Sequence, residues 1–141
     1  MNSGPSGGRL HDLDGAARGE QKMIYTHSLG RASRYYPERT ALAPSRTRLT
    51  FRELHDRVAS VAAALSELGF EAGDRLALLL PNGPQYIELV YACSWLGVIA
   101  VPLNTRLSAA EIDRVLADAS PRGLVSTRHC RSRRHGSRGS A

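Results

Sequence analysis

The most constraining feature of the sequence is an apolar run, Leu76-Ala77-Leu78-Leu79-Leu80, held between Gly73-Asp74 and Pro81-Asn82-Gly83-Pro84. Consecutive apolar residues put hydrophobic side chains on both faces of an extended segment, and so short a run between turn residues favours a strand over a helix. Such a strand needs cover above and below. That is the position of a central strand in a parallel α/β sheet.

The residues that follow repeat the logic. Pro84 suits the first turn of a helix running to about Leu96, with Ile87, Val90, Tyr91 and Trp95 expected to face inward and Gly97 to end it. Val98 to Val101 reads as a second buried strand. Ser108, Ala109, Ala110 and Glu111 form a capping box with Leu107 and Ile112 as its hydrophobic staple, and Ile112, Val115 and Leu116 supply the inner face of another helix before Pro121. Gly123 to Ser126 is a third strand. Residues 74 to 127 are therefore expected to form a right-handed parallel βαβαβ unit.

Upstream, Tyr25, Leu29, Ala32 and Tyr36 recur at helical spacing until Pro37. Thr40 to Ala43 and Arg48 to Thr50 read as extended pieces joined by a turn at Pro44, Ser45 and Arg46. A second capping box, Thr50 to Glu53 with Leu49 and Leu54 as staple, opens a helix over 51–68 whose expected stripe is Leu54, Val58, Val61, Leu65 and Leu68. Gly69 supplies its left-handed end, with Phe70 placed against Leu65. Residues 1–21 lack periodicity and read as a disordered leader, leaving an ordered body at 22–127.

Charge is unevenly spread. Lys plus Arg number 19 against 13 Asp plus Glu, a net charge of +6, but five of the bases (Arg128, Arg131, Arg133, Arg134 and Arg138) lie in 128–141, where there is no acid. The remainder carries 14 bases against 13 acids and is close to neutral. The basic end, also expected to be disordered, points to solvated charge rather than specific nucleic-acid binding, because no aromatic residue interleaves with it to stack on bases. Its abrupt composition, where the unit would next need a helix, suggests a reading-frame change or an unnatural end. Two cysteines, Cys93 and Cys130, are too few for a disulfide framework and fit a reducing, cytoplasmic setting. The first twenty residues hold no apolar signal core. The longest uncharged run, Leu89 to Thr105, is broken by Pro102 and is too short for a membrane span.

The succession LTFREL, GDRLALLLPN and IAVPLNTRL, within residues 24 to 127, resembles the start of the adenylate-forming superfamily and closely suits its fatty-acid and related carboxylate CoA ligases. The resemblance implies a partial N-terminal domain of α/β class, with helix, hairpin and helix followed by the βαβαβ unit. It implies an enzyme that uses ATP with Mg²⁺ to turn a carboxylic (fatty) acid into an acyl-adenylate, which coenzyme A then captures. In that family the stretch up to residue 70 contributes to a different sheet subdomain from the stretch after it. Faces such as Leu78, Val90 and Trp95 are then expected to stay partly wet, and a few hundred Å² left uncovered, at about 25 cal/mol per Å², would forfeit several kcal/mol and leave the isolated chain marginal.

The parts that hold the nucleotide in that family are missing from these 141 residues. No Ser/Thr/Gly-rich loop ending in Pro-Lys-Gly occurs, and the single lysine, Lys22, precedes the first helix. No catalytic, cofactor-binding or metal-binding residue is therefore assigned. Asn82 and Gly83 lie where an anion could meet helix-start amides, but a plain turn accounts for them. His129, Cys130 and His135 match no closed four-ligand zinc set. Glu53 and Glu111 are explained as caps, and His27 and His55 are expected on exposed helix surface. The leading expectation is an inactive N-terminal piece of an AMP-forming acyl-CoA ligase. A basic-tailed interaction protein and one part of a split ligase, completed in trans by a missing C-terminal portion, are the alternatives.

Overall fold

A computed structural model describes residues 28–43 and 48–127. The chain is helical over 28–35 (α1). It continues through β1 (Thr40–Leu42), β2 (Leu49–Thr50), α2 (Phe51–Glu67), β3 (Arg75–Leu79), α3 (Pro84–Leu96), β4 (Ile99–Pro102), α4 (Ala109–Ala119) and β5 (Gly123–Ser126). The leader at 1–21, His27, the turn at 44–46 and the basic tail from 128 lie outside the described residues.

Strands β1 and β2 pair antiparallel, while β4, β3 and β5 form a parallel sheet in that order with β3 in the middle. Because β4 lies on one side of β3 and β5 on the other, the chain reverses direction across the sheet after β4. Crossovers of one hand then put successive helices on opposite faces. The packing has that form. Leu76 and Leu78 join a core with α2 and α3, whereas Ala77 and Leu79 pack with Ile112 and Leu116 of α4.

Local chemistry sets the element ends. Thr50 and Ser108 each accept from the amide three residues on, and Glu53 and Glu111 accept in return from the Thr50 and Ser108 amides at 2.8 Å. After α2 the left-handed Gly69 (φ 82°) lets the Phe70 amide reach the Leu65 carbonyl at 3.0 Å. Gly97 (φ 73°) does the same for α3, with the Val98 amide 2.8 Å from the Cys93 carbonyl. At the lower end of the sheet Arg122 pairs with Asp74 at 3.1 Å and lies over the Phe70 ring.

Several burial expectations need correction. The hairpin is a separate sheet, but α2 is not part of a separate body: Leu54, Val58, Ala62 and Leu65 share one core with Leu76 and Leu78. Leu78 is accordingly fully buried rather than wet, while Val90 is half-buried and Trp95 keeps 38% of its surface exposed. The stripe of α2 turns toward Ala62, leaving Leu68 71% exposed at the C-cap, so the helix ends at Glu67. On α3 the buried residues are Glu88, Ala92 and Cys93; Val90 and Tyr91 pack half-buried against the same core, Ile87 is half-buried and Trp95 is exposed. Strand β4 is an edge, not a buried strand, and Ile99 at its start is 48% exposed. In α4 Ile112 is buried and Leu116 packs half-buried beside it, while Val115 stays exposed. Tyr36 is likewise exposed.

Candidate functional site

Reversal of the chain after β4 creates a crevice. The segment leaving β3 rises to α3 on one face and the segment leaving β4 turns to α4 on the other, so their first residues diverge above the strand ends. In open α/β sheets ligands bind at this point. Here it is a cavity of about 630 Å³ bounded by Leu80, Pro81, Asn82 and Tyr86 on one side and by Pro102, Leu103, Asn104, Thr105 and Arg106 on the other.

Hydrogen bonds shape both walls. The Leu103 amide donates to the Leu78 carbonyl at 2.9 Å, extending the sheet register one residue past β4. The Asn104 side chain then accepts from the Arg106 amide at 2.9 Å, and its carbonyl accepts from the Leu107 amide at 3.2 Å. This Asx turn brings the chain round to the cap of α4 and sets Thr105 and Arg106 at the rim. Opposite, Gly83 caps α3 with an extended backbone and no side-chain cap, and Pro84 fills the first turn. Among the described residues Arg106 is the only charged one bounding the crevice, with amide, hydroxyl and phenol groups around it. Such a lining can hold an anionic or hydrogen-bonding ligand. Among the described residues it offers no carboxylate, imidazole or thiol for acid–base or nucleophilic work.

The other residues of chemical interest lie elsewhere. Glu53 and Glu111 are occupied as caps, and hydrogen bonds hold both carboxyls below the usual glutamate range, from the Thr50 backbone first for Glu53 and the Ser108 side chain first for Glu111. Cys93 is buried in the main core, and desolvation pushes its thiol up to about 11, so it is an inert packing residue. His55 is not simply exposed: its ring meets Trp95 at 5.4 Å and its Nδ1 lies 3.5 Å from Asp56. Among the described residues no group of three His, Cys, Asp or Glu could hold a metal. None of their helices is long and apolar enough to cross a membrane. Lys22, His129, Cys130, His135 and the tail arginines lie outside the described residues. Of the sequence candidates among the described residues, Asn82 lines the crevice and Gly83 follows it as the cap of α3. The opposite wall of the crevice, Asn104 to Arg106, had no local signal, because its position depends on the strand order.

Residues 29–139 match the family model for AMP-binding enzymes. The chain belongs to that family. It is 43% identical over 97 residues to feruloyl-CoA synthase from Amycolatopsis sp., an alignment covering 69% of this chain and 20% of that protein. Among solved structures, the fatty acyl CoA synthetase of Mycobacterium tuberculosis superposes with a TM-score of 0.77 at 31% identity, over 86% of this chain and 25% of that one. The o-succinylbenzoate CoA synthetase of Bacillus subtilis, solved with its acyl-adenylate intermediate, gives 0.68 at 35% identity, over 72% and 27%. The chain spans about a fifth of the length of the curated relatives it matches. Within this AMP-binding family member the α/β architecture of the ligases' N-terminal domain is present, as the sequence led one to expect.

Proposed function

We propose that these residues are N-terminal scaffold of an AMP-forming acyl- or aryl-CoA ligase, and that alone they do not complete its reaction. In the full enzyme a carboxylate and ATP would give an acyl-adenylate and pyrophosphate, and the thiol of coenzyme A would then displace AMP, in the cytoplasm. The family match over 29–139 is the observation that carries this reading. Relatives named for ferulate, o-succinylbenzoate and fatty acyl substrates all share it in this region, so the stretch serves ligases of different acids.

The residues present do not fit a magnesium–ATP site. The crevice carries one cation and no acid, and no Pro-Lys-Gly phosphate loop occurs in the sequence. Stabilising a transferring phosphoryl or adenylyl group requires several converging cations and amide donors. The contribution of this stretch is instead to position: β3 fixes two loops, and the crevice between them presents Asn82, Asn104, Thr105 and Arg106 toward the rest of the enzyme.

Two experiments test the proposal. The 141-residue chain with ATP, Mg²⁺, a fatty acid or ferulate, and coenzyme A is expected to release no AMP above background; turnover would refute the inactivity. Replacing the matching segment of feruloyl-CoA synthase with residues 28–127 is expected to give a chimera that still forms feruloyl-CoA. A folded but inactive chimera would refute the scaffold role.

A further inference from the structure

The turn between β3 and α3 carries a reactivity that holding a ligand does not use. Asn82 is exposed there, and its carboxamide makes no hydrogen bond among the described residues. The amide of Gly83 is equally uncommitted, while the Gly83 carbonyl accepts from the Ile87 amide at 3.2 Å. Gly83 has an extended backbone, φ 170° and ψ 179°, and a Cβ built on it would meet nothing within 4 Å. An electrophilic side-chain carbonyl, a free backbone nitrogen next to it in the chain and open space beside that nitrogen therefore coincide.

The other asparagine among the described residues is the opposite case. Asn104 is followed by Thr105, whose branched side chain crowds the next amide, and its carboxamide oxygen already accepts from the Arg106 amide at 2.9 Å. Of the three asparagines in the sequence, Asn2, Asn82 and Asn104, Asn82 is the one with glycine after it.

We propose that Asn82 is a site of spontaneous succinimide formation, through which the chain converts this residue to aspartate and isoaspartate. The Gly83 amide nitrogen attacks Asn82 Cγ. The bond from Cγ to the side-chain nitrogen breaks, and that nitrogen leaves as ammonia with the proton lost from Gly83. The cyclic imide then takes up water: opening at Cγ restores the Gly83 peptide bond and leaves aspartate, whereas opening at the backbone carbonyl leaves isoaspartate, with an extra methylene in the main chain. Nothing is oxidised or reduced; one water enters and one ammonia departs. Either product places a carboxylate in the crevice that Arg106 lines and just before the start of α3, where negative charge is favoured. A crevice with one cation becomes one of balanced charge. The inference does not depend on the ligase reading, and its test uses no ligase substrate.

The test incubates the 141-residue chain at mildly alkaline pH, in water enriched in heavy oxygen, beside a synthetic peptide of residues 79–86. Trypsin releases residues 76–106 as one peptide carrying both asparagines, so a single fragment spectrum compares them. Labelled acid should accumulate at position 82 within about threefold of the rate in the synthetic peptide, because nothing in the fold restrains either reacting group. Isoaspartyl methyltransferase should accept the tryptic peptide. Position 104 should stay an amide. Gly83→Ala should slow the conversion about tenfold or more, since its Cβ crowds the attacking nitrogen. The extended backbone and open space admit that Cβ, so circular dichroism of the variant should match the parent. Retention of the amide at 82 while the synthetic peptide converts would overturn the proposal. Equal conversion at 82 and 104, or an unchanged rate in Gly83→Ala, would do the same.

Discussion

Among the described residues Glu88 is the one charged residue that is buried, and what happens when its partner is removed is a direct test of how α2 and α3 are held together. Its side chain is 7% exposed, against 48% for Arg57, whose Nε lies 2.9 Å from Oε1. That oxygen accepts no well-directed hydrogen bond, so the contact is an ion pair whose N–H points elsewhere. Replacing Arg57 by Met keeps the aliphatic stem over α3 and removes only the charge. Breaking a fully buried pair costs about 3–5 kcal/mol because an uncompensated charge stays behind. Arg57 is half in water, so solvent already screens the pair and can reach Glu88 once the guanidinium is gone, which lowers the expectation to about 1–3 kcal/mol. Adding Glu88→Leu should recover most of that loss, since replacing a buried pair by apolar side chains of similar size is often neutral or stabilising. Urea unfolding followed by circular dichroism reads both effects at constant slope. A loss below about 0.5 kcal/mol for Arg57→Met, or a double variant no more stable than the single, would refute the reasoning.

The caps make a pH-dependent contribution. Glu53 and Glu111 have depressed carboxyl pKa values in the fold, so their stabilisation is full above the ordinary glutamate range and is lost as pH falls through the folded-state values. Acid titration of helicity should shift to higher pH in Glu53→Gln, and Thr50→Ala or Ser108→Ala should each cost about 1 kcal/mol in urea unfolding. The Cys93 thiol, raised to about 11 by burial, favours the neutral form in the fold, so stability should decline as pH rises from about 9 toward 11. In a Cys130→Ser background, Ellman's reagent at neutral pH should label Cys93 only at the rate of unfolding; rapid labelling would contradict the burial. Gly97→Ala should lose about 1 kcal/mol, because its left-handed φ of 73° disfavours a side chain.

Much of the local structure was legible because its causes are adjacent in the chain. The capping boxes at Thr50–Glu53 and Ser108–Glu111, the proline opening α3 and the left-handed glycines at 69 and 97 act over three to six residues, and the elements end where they dictate. Burial was less legible where a sequence carries no direction. Helix α3 carries apolar residues on nearly every side, so periodicity could not say that Ala92, Cys93 and the charged Glu88 would be buried while Ile87 and Tyr91 were only half covered. The crevice was hidden for a related reason. Asn104 and Arg106 become neighbours of Asn82 only because β4 sits beside β3, a fact encoded by no short segment.

Capping, turn chemistry and side-chain patterning act over a few residues, so the elements, their ends and the apolar β3 around which they gather are written locally into the chain. The order β4-β3-β5, the edge position of β4, the shared core of α2 with the sheet and the crevice exist only once the elements have packed. Those depend on contacts such as Asp74 with Arg122, 48 residues apart, in which each face is buried only once another element has chosen to cover it.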